Sequence, residues 1–345
     1  MHSRFGPVGL ALCLMAAVGL AIASAPHRSS AAGKTFTNPV YKHNFPDPFV
    51  LKAGKWYWAY ATGSNGENFQ VLRSRDLVHW KTMKDAMPIT ARWASGDTWA
   101  PEVIKIKNRY VMYYAAHWFA GGRQCIGRAV SKSPGGPFRD TSKKPFLCEV
   151  AAGGSIDPDP FRDRNGKLYL LWKTDWRTDW VGPPVCCKKD THIWAQALSK
   201  DGSKLVGKKA SLEVDDAKWE SILVEAPTMR RHGSAYYLFY SGNRFNTSDY
   251  ATGYAVCKGP MGPCEDNSDN PILKTRCQAA GPGHQAIITD AKGQDWIVYH
   301  AWKPSAIGDD AVGRVLWIDK LNWENNKPVV EGPTCDAQAA PATGS

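Results

Sequence analysis

Pro46-Asp-Pro-Phe-Val-Leu-Lys-Ala-Gly-Lys-Trp-Tyr-Trp-Ala-Tyr60 sets a polar residue in a Pro-rich turn, then an apolar run, a turn at Gly54 and a second, aromatic run. Tyr, Trp, Val and Leu pack well on a pleated surface, so the stretch reads as two strands joined by a tight turn. The same form recurs in Trp99-Ala-Pro-Glu-Val-Ile-Lys-Ile-Lys-Asn-Arg-Tyr-Val-Met-Tyr-Tyr114. It recurs again from Ile156-Asp-Pro-Asp-Pro-Phe to Gly166-Lys-Leu-Tyr-Leu-Leu-Trp172, and from Val224-Glu-Ala-Pro-Thr-Met to Gly233-Ser-Ala-Tyr-Tyr-Leu-Phe-Tyr240. The last copy runs from Gly281-Pro-Gly-His-Gln-Ala to Gly293-Gln-Asp-Trp-Ile-Val-Tyr-His300. Copies are spaced by about 53 to 67 residues, room for a four-stranded blade with variable loops. No segment carries a long 3.6-residue apolar period, so helix content should be low. The pattern predicts an all-β fold, a single-domain five-bladed β-propeller over residues 33–335. A two-sheet sandwich is the alternative; it predicts regular strands but no recurring first-strand signature.

Outside the repeats, residues 1–32 have the layout of a secretory signal peptide. A short basic start (His2, Arg4) precedes the apolar run Val8 to Ile22, which small residues close. That run is short for a membrane span of roughly 20 residues. Residues 336–345 read as a short disordered tail. Of nine cysteines, Cys13 leaves with the leader, and the even remainder suits disulfides in an exported chain. Cys125–Cys148 and Cys257–Cys264 are the expected local pairs, with Cys186 and Cys187 reaching Cys277 and Cys335. The formal charge of +11 is scattered as isolated basic pairs rather than a patch, which argues against nucleic acid. The expectation is therefore a secreted, extracellular, monomeric protein that leaves the membrane once its leader is cut.

The repeat also locates a site. Innermost strands of a propeller line one channel, so polar residues at equivalent points converge there. Asp47, Asp157, Glu225 and His284 occupy such points. Breaking a glycosidic bond needs one carboxylic acid to protonate the departing oxygen and one carboxylate to activate water. Asp159 lies two residues beyond Asp157 and would share its face of a strand. The nine-residue distance to the following Gly, the same in Asp157–Gly166 and His284–Gly293, favours Asp157.

On these residues the chain resembles glycoside hydrolase family 43. The matching motifs are Pro46-Asp47-Pro48-Phe49, Trp99-Ala-Pro-Glu102, Ser155-Ile-Asp157-Pro158, Glu225-Ala-Pro-Thr228, Gly281-Pro-Gly-His284 and Tyr299-His300. Gly313-Arg314 and Leu321-Asn-Trp323 close the series. Each motif alone is weak; their order along the chain makes the resemblance specific. It implies inverting hydrolysis of arabinofuranosyl or xylosyl linkages in plant or cell-wall polysaccharide or oligosaccharide. Asp47 would be the general base, Glu225 the general acid, and Asp157 the residue that tunes and positions the acid. No cofactor is required. His284 stays open between a residue facing a cation such as calcium and a buried histidine bonded to backbone. Trp99 and Trp93 are candidates to stack on a sugar, and Arg314 to bond sugar hydroxyls or a catalytic carboxylate. Glu102 reads as structural. A retaining fructan-type hydrolase and a non-catalytic sugar-binding propeller remain the competing readings.

Overall fold

The computed structural model of the chain describes residues 34–175 and 191–344, with His2 and Gly6 besides. The expected leader otherwise lies outside the described residues, as do Cys186 and Cys187. From Lys34 onward the chain forms one compact unit. Among the described residues there is no α-helix, and none is long and apolar enough to cross a membrane.

After β1 (Thr35–Phe36), blade one comprises β2 (Phe49–Ala53), β3 (Trp56–Ser64), β4 (Glu67–Ser74) and β5 (Lys81–Thr82). Blade two comprises β6 (Trp99–Ile106), β7 (Arg109–Trp118) and β8 (Arg123–Ser131). Its outer edge is completed by bridges from Arg139 to Val130 and from Leu147 to Ile126. Blade three comprises β9 (Ser155–Arg162), β10 (Leu168–Thr174), β11 (His192–Leu198) and β12 (Leu205–Val214). Blade four comprises β13 (Val224–His232), β14 (Ala235–Gly242), β15 (Ala251–Cys257) and β16 (Cys264–Asp266). Blade five comprises β17 (Ala280–Thr289), β18 (Asp295–Trp302), β19 (Val315–Glu324) and β20 (Lys327–Glu331), and β21 (Gln338–Ala339) follows. Each blade is an antiparallel meander. The innermost strands touch in a closed ring, β2 on β6, β6 on β9, β9 on β13, β13 on β17 and β17 back on β2. This is the five-bladed propeller that the repeat predicts. Radial repetition of the blades leaves only short, protected sheet edges.

Two expectations are corrected. The tail is ordered: Thr35 and Phe36 pair with Ala339 and Gln338, and the Ala342 N–H donates to Asp290. The backbone hydrogen bonds of β1, the first described strand, need a partner, and residues 338–339 supply it. Cys277 pairs with Cys335, so neither can reach Cys186 or Cys187 as expected. Cys125–Cys148 and Cys257–Cys264 form as anticipated, the second directly across the β15–β16 ladder.

The core lies between the blades. The aromatic second strands predicted from sequence fill it, with Trp172, Trp296, Trp302, Tyr60, Tyr113 and Tyr299 fully buried. At roughly 150–250 Å² of ring surface each, they dominate the packing between neighbouring sheets.

Candidate active site

One backbone irregularity repeats in every blade. Asp47, Ala100, Asp157, Ala226 and His284 all have φ between +44° and +55°, at or just before the entry to an innermost strand. Four of the five first-strand ladders also slip register there. A left-handed residue takes its N–H out of the ladder, and a buried donor must then find another partner. Side chains supply it. The Asp47 N–H donates to His300 Nδ1 (3.0 Å), Ala100 N–H to Thr62 Oγ1 (2.9 Å), Ala226 N–H to Asp157 Oδ2 (2.9 Å) and His284 N–H to Ser241 Oγ (2.9 Å).

This corrects the equivalence read from sequence. Asp47, Asp157 and His284 are true counterparts, but the blade-four counterpart is Ala226, and Glu225 comes one residue before it. The slip between Glu225 and Thr228 leaves Glu225 facing the channel all the same.

Asp47, Asp157, Glu225, His284, Trp99 and Arg314 line one cavity of about 610 Å³. Trp93 does not. It is buried, lies parallel to Tyr114 and donates its ring N–H to Asp140 (3.3 Å), so it belongs to the core between blades one and two.

Asp47 is surrounded by donors. Arg314 Nη1 lies 2.7 Å from Oδ1, His284 Nδ1 lies 3.2 Å from the same oxygen, and the Thr62 hydroxyl donates to Oδ2. Burial alone would raise its pKa, but Arg314, His284 and the Thr62 hydroxyl hold it well below the usual carboxylate range. Arg314 is fixed in turn by its N–H to Asn44 Oδ1 (3.0 Å) and by the faces of Phe245 and Trp302. Gly313, at φ +75°, permits this turn, because a Cβ there would run into Asn44. Buried His300 accepts the Asp47 N–H, and burial followed by Arg314 drives its pKa far below the ordinary imidazole value. It is therefore a neutral acceptor.

Glu225 receives the Tyr250 hydroxyl on Oε1 (2.8 Å) and the Lys173 ammonium on Oε2 (3.0 Å). Burial pushes its pKa up, but Lys173, Tyr250 and His284 outweigh that and bring it below the ordinary glutamate value. Gly283 makes room for Tyr250, since a Cβ there would strike the ring. Asp157 moves the other way. Burial comes first, His284 and Lys173 oppose it, and the charges of Glu225 and Asp47 help raise it.

One layer deeper, Asp159 and Glu102 meet in a side-chain hydrogen bond, with no cation among the described residues in the interactions that shift them. Asp159 Oδ2 accepts the Met229 N–H (2.7 Å). Burial raises Asp159 to about 7, and it raises Glu102 further, aided by the neighbouring Asp159. Two buried carboxyls in contact keep a proton between them.

The donor set around His284 does not fit a protein-bound cation. Its Nδ1 faces Asp47, which Arg314 already engages, and hard cations want several oxygen ligands. Among the described residues, the one trio of close acidic donors is Glu213, Glu220 and Asp266, away from this cavity.

The repeat made Asp47, Asp157, Glu225 and His284 legible, and Trp99 and Arg314 join them. Lys173, Tyr250, Thr62 and Gln285 escaped the reading. Gln285 ties the blades together, donating to Ala226 O (2.8 Å) and accepting from Ser241 and Thr252 (both 3.1 Å). Lys173 carried a signal, a lone lysine ending the apolar run Leu168-Tyr-Leu-Leu-Trp172, where burial requires a charged partner.

Comparison with known proteins agrees with this architecture. Residues 36–328 match the sequence profile of glycosyl hydrolases family 43. The extracellular exo-α-(1→5)-L-arabinofuranosidase ArbA of Cellvibrio japonicus is 24% identical over 302 residues, 81% of this chain and 83% of that protein. The β-xylosidase of Bacillus subtilis is 27% identical over 332 residues, 86% of this chain; the chain spans 57% of its length. Among solved structures, a thermostable family-43 glycoside hydrolase superposes with a TM-score of 0.81 at 32% identity, covering 90% of this chain and all of that one.

Proposed function

The chain belongs to glycosyl hydrolases family 43 and is a glycosidase of the arabinofuranosidase or xylosidase type, and from that premise we propose that it is a secreted enzyme cleaving pentosyl linkages of plant or cell-wall polysaccharide with inversion. Asp47 is the general base, Glu225 the general acid, and Asp157 positions and tunes the acid. We favour action on terminal arabinofuranosyl units, in line with the exo-acting relative. Export is supported by the leader-like first 32 residues, the disulfides and the relatives named extracellular.

The observation that carries the reading is the convergence of Asp47, Asp157 and Glu225 on one cavity, each with its own set of hydrogen-bond partners. Asp47, held ionised by Arg314 and His284, can take a proton from water. The water oxygen then bonds to the anomeric carbon as the glycosidic C–O bond breaks, and the proton of Glu225 passes to the departing oxygen. Asp157 lies in the same cavity, its pKa raised by burial and by the charge of Glu225, while that of Glu225 is lowered by Lys173 and Tyr250. Asp157 also fixes the Glu225-Ala226 turn through the Ala226 N–H. Trp99, half-buried at the cavity wall, offers a flat face to a sugar.

A panel of aryl arabinofuranoside, aryl xyloside, linear arabinan and arabinoxylan tests the proposal. The wild-type protein should release pentose, and Asp47→Ala and Glu225→Gln should each lose roughly 10²–10⁴-fold in kcat. A sugar-binding propeller would release nothing, and full activity in both variants would refute the assignment.

A further inference from the structure

Lys173 is 1% exposed and stands on β10, the second strand of blade three, with its ammonium 3.0 Å from Glu225 Oε2 across the blade boundary. A lysine buried to this degree is costly, and family chemistry of one base, one acid and one tuning carboxylate has no evident use for it. The cavity wall it joins already has hydrogen-bond donors for the acid: Tyr250 satisfies Oε1. We propose that Lys173 is a positioning residue for the acid, fixing the Glu225 carboxyl across the blade boundary and setting how readily it hands its proton to the departing oxygen. The inference rests on the assignment of Glu225 as general acid.

The physical argument concerns the charge that develops on Glu225. As the proton leaves, Glu225 becomes a carboxylate in a buried site where water cannot solvate it. An ammonium already in place at Oε2 stabilises that product of the transfer without any reorganisation. Its effect is to make Glu225 a stronger acid, which matters most when the departing group is a poorly acidic sugar hydroxyl. The same charge has an opposing effect: it favours the ionised form of the free protein, so the protonated acid is lost at a lower pH. Other groups face this carboxyl too. Asp157 on β9 repels its charge, His284 on β17 attracts it, and Tyr250 donates to it. Lys173 in turn feels Glu225, Asp175 and Asp157. Of the cations, only Lys173 touches a Glu225 oxygen among the described residues.

The test compares Lys173→Met, which keeps length and removes charge, with Lys173→Arg, which keeps charge. Both are assayed on two aryl glycosides of the cleaved pentose, one with a dinitrophenyl and one with a plain phenyl leaving group. Losing the ammonium should raise the basic limb of the kcat/KM profile by roughly one to three pH units. It should also slow the phenyl substrate at least tenfold more than the dinitrophenyl one, which needs no acid. Lys173→Arg should restore both properties in large part. Lys173→Gln, which keeps a donor without charge, should reproduce the limb shift and serves if the apolar variant does not fold. An unmoved basic limb, with equal losses on both substrates, would overturn the inference. Glu225→Gln, run alongside, separates the two claims. If its loss does not depend on the leaving group, the acid assignment itself fails; if it does and that of Lys173→Met does not, only the role of Lys173 fails.

Discussion

Asp157 and Asp159 stand two residues apart on one strand and are buried to the same degree, yet they belong to different chemistries. Asp157 sits in the upper layer, where Arg314, Lys173 and His284 are spread among Asp47, Glu225 and itself. Asp159 sits one layer down against Glu102, with a backbone N–H as its donor and, among the described residues, no cation acting on either carboxyl. Burial treats all five carboxyls alike; the neighbours decide which keep their charge. In the upper layer the neighbouring cations hold the pKa values of Asp47 and Glu225 down, while that of Asp157 is pushed up. In the lower layer the only way to bury two acids is to share a proton. The first arrangement is suited to proton traffic, and the second serves as a protonated strut between blades two and three.

The contrast is sharpest on that strand. Asp157→Asn should cut kcat at least a hundredfold, because the amide cannot repel the charge of Glu225 and so tune the acid. Asp159→Asn should stay within a few-fold of wild type. Parallel kcat measurements on the same substrate decide it; similar losses in both would erase the distinction between the layers.

A smaller effect is expected on stability. The lower pair has its pKa values raised by folding, so its contribution is fully present below the unfolded carboxylate values near 4. That contribution fades as pH rises through about 7, where Asp159 ionises. Glu102→Gln replaces the shared proton with an amide donor and leaves one carboxylate with two donors. Denaturant unfolding of Glu102→Gln should therefore lose less stability than wild type between pH 4 and pH 7, by an amount of order 1–3 kcal/mol. Parallel stability curves for the two proteins would contradict a shared proton.

The sequence made the fold readable because one strand-turn-strand unit occurs five times, and repetition survives the divergence of loops. It placed Asp47, Asp157 and His284 correctly because their left-handed backbone recurs at the same point of each blade. The offset of Glu225 was not legible, since a one-residue slip in pairing leaves no mark on spacing that already varies between copies. The partners that set protonation, Lys173 one residue past the quoted run of β10 and Tyr250 just before β15, lie outside the repeated signature and meet Glu225 only in three dimensions. Trp93 was misread because a tryptophan between blades and a tryptophan at a cavity wall look alike in sequence. The Cys277–Cys335 pair joins residues 58 apart, a contact that spacing alone does not reveal.

The central claim is that Asp47 delivers water while Glu225 protonates the departing oxygen, in a single displacement. Proton NMR of the first product, recorded before mutarotation, reads this directly. The anomer released should be opposite to that of the substrate. Release of the same anomer would contradict the account and point instead to a nucleophilic aspartate and a retaining hydrolase.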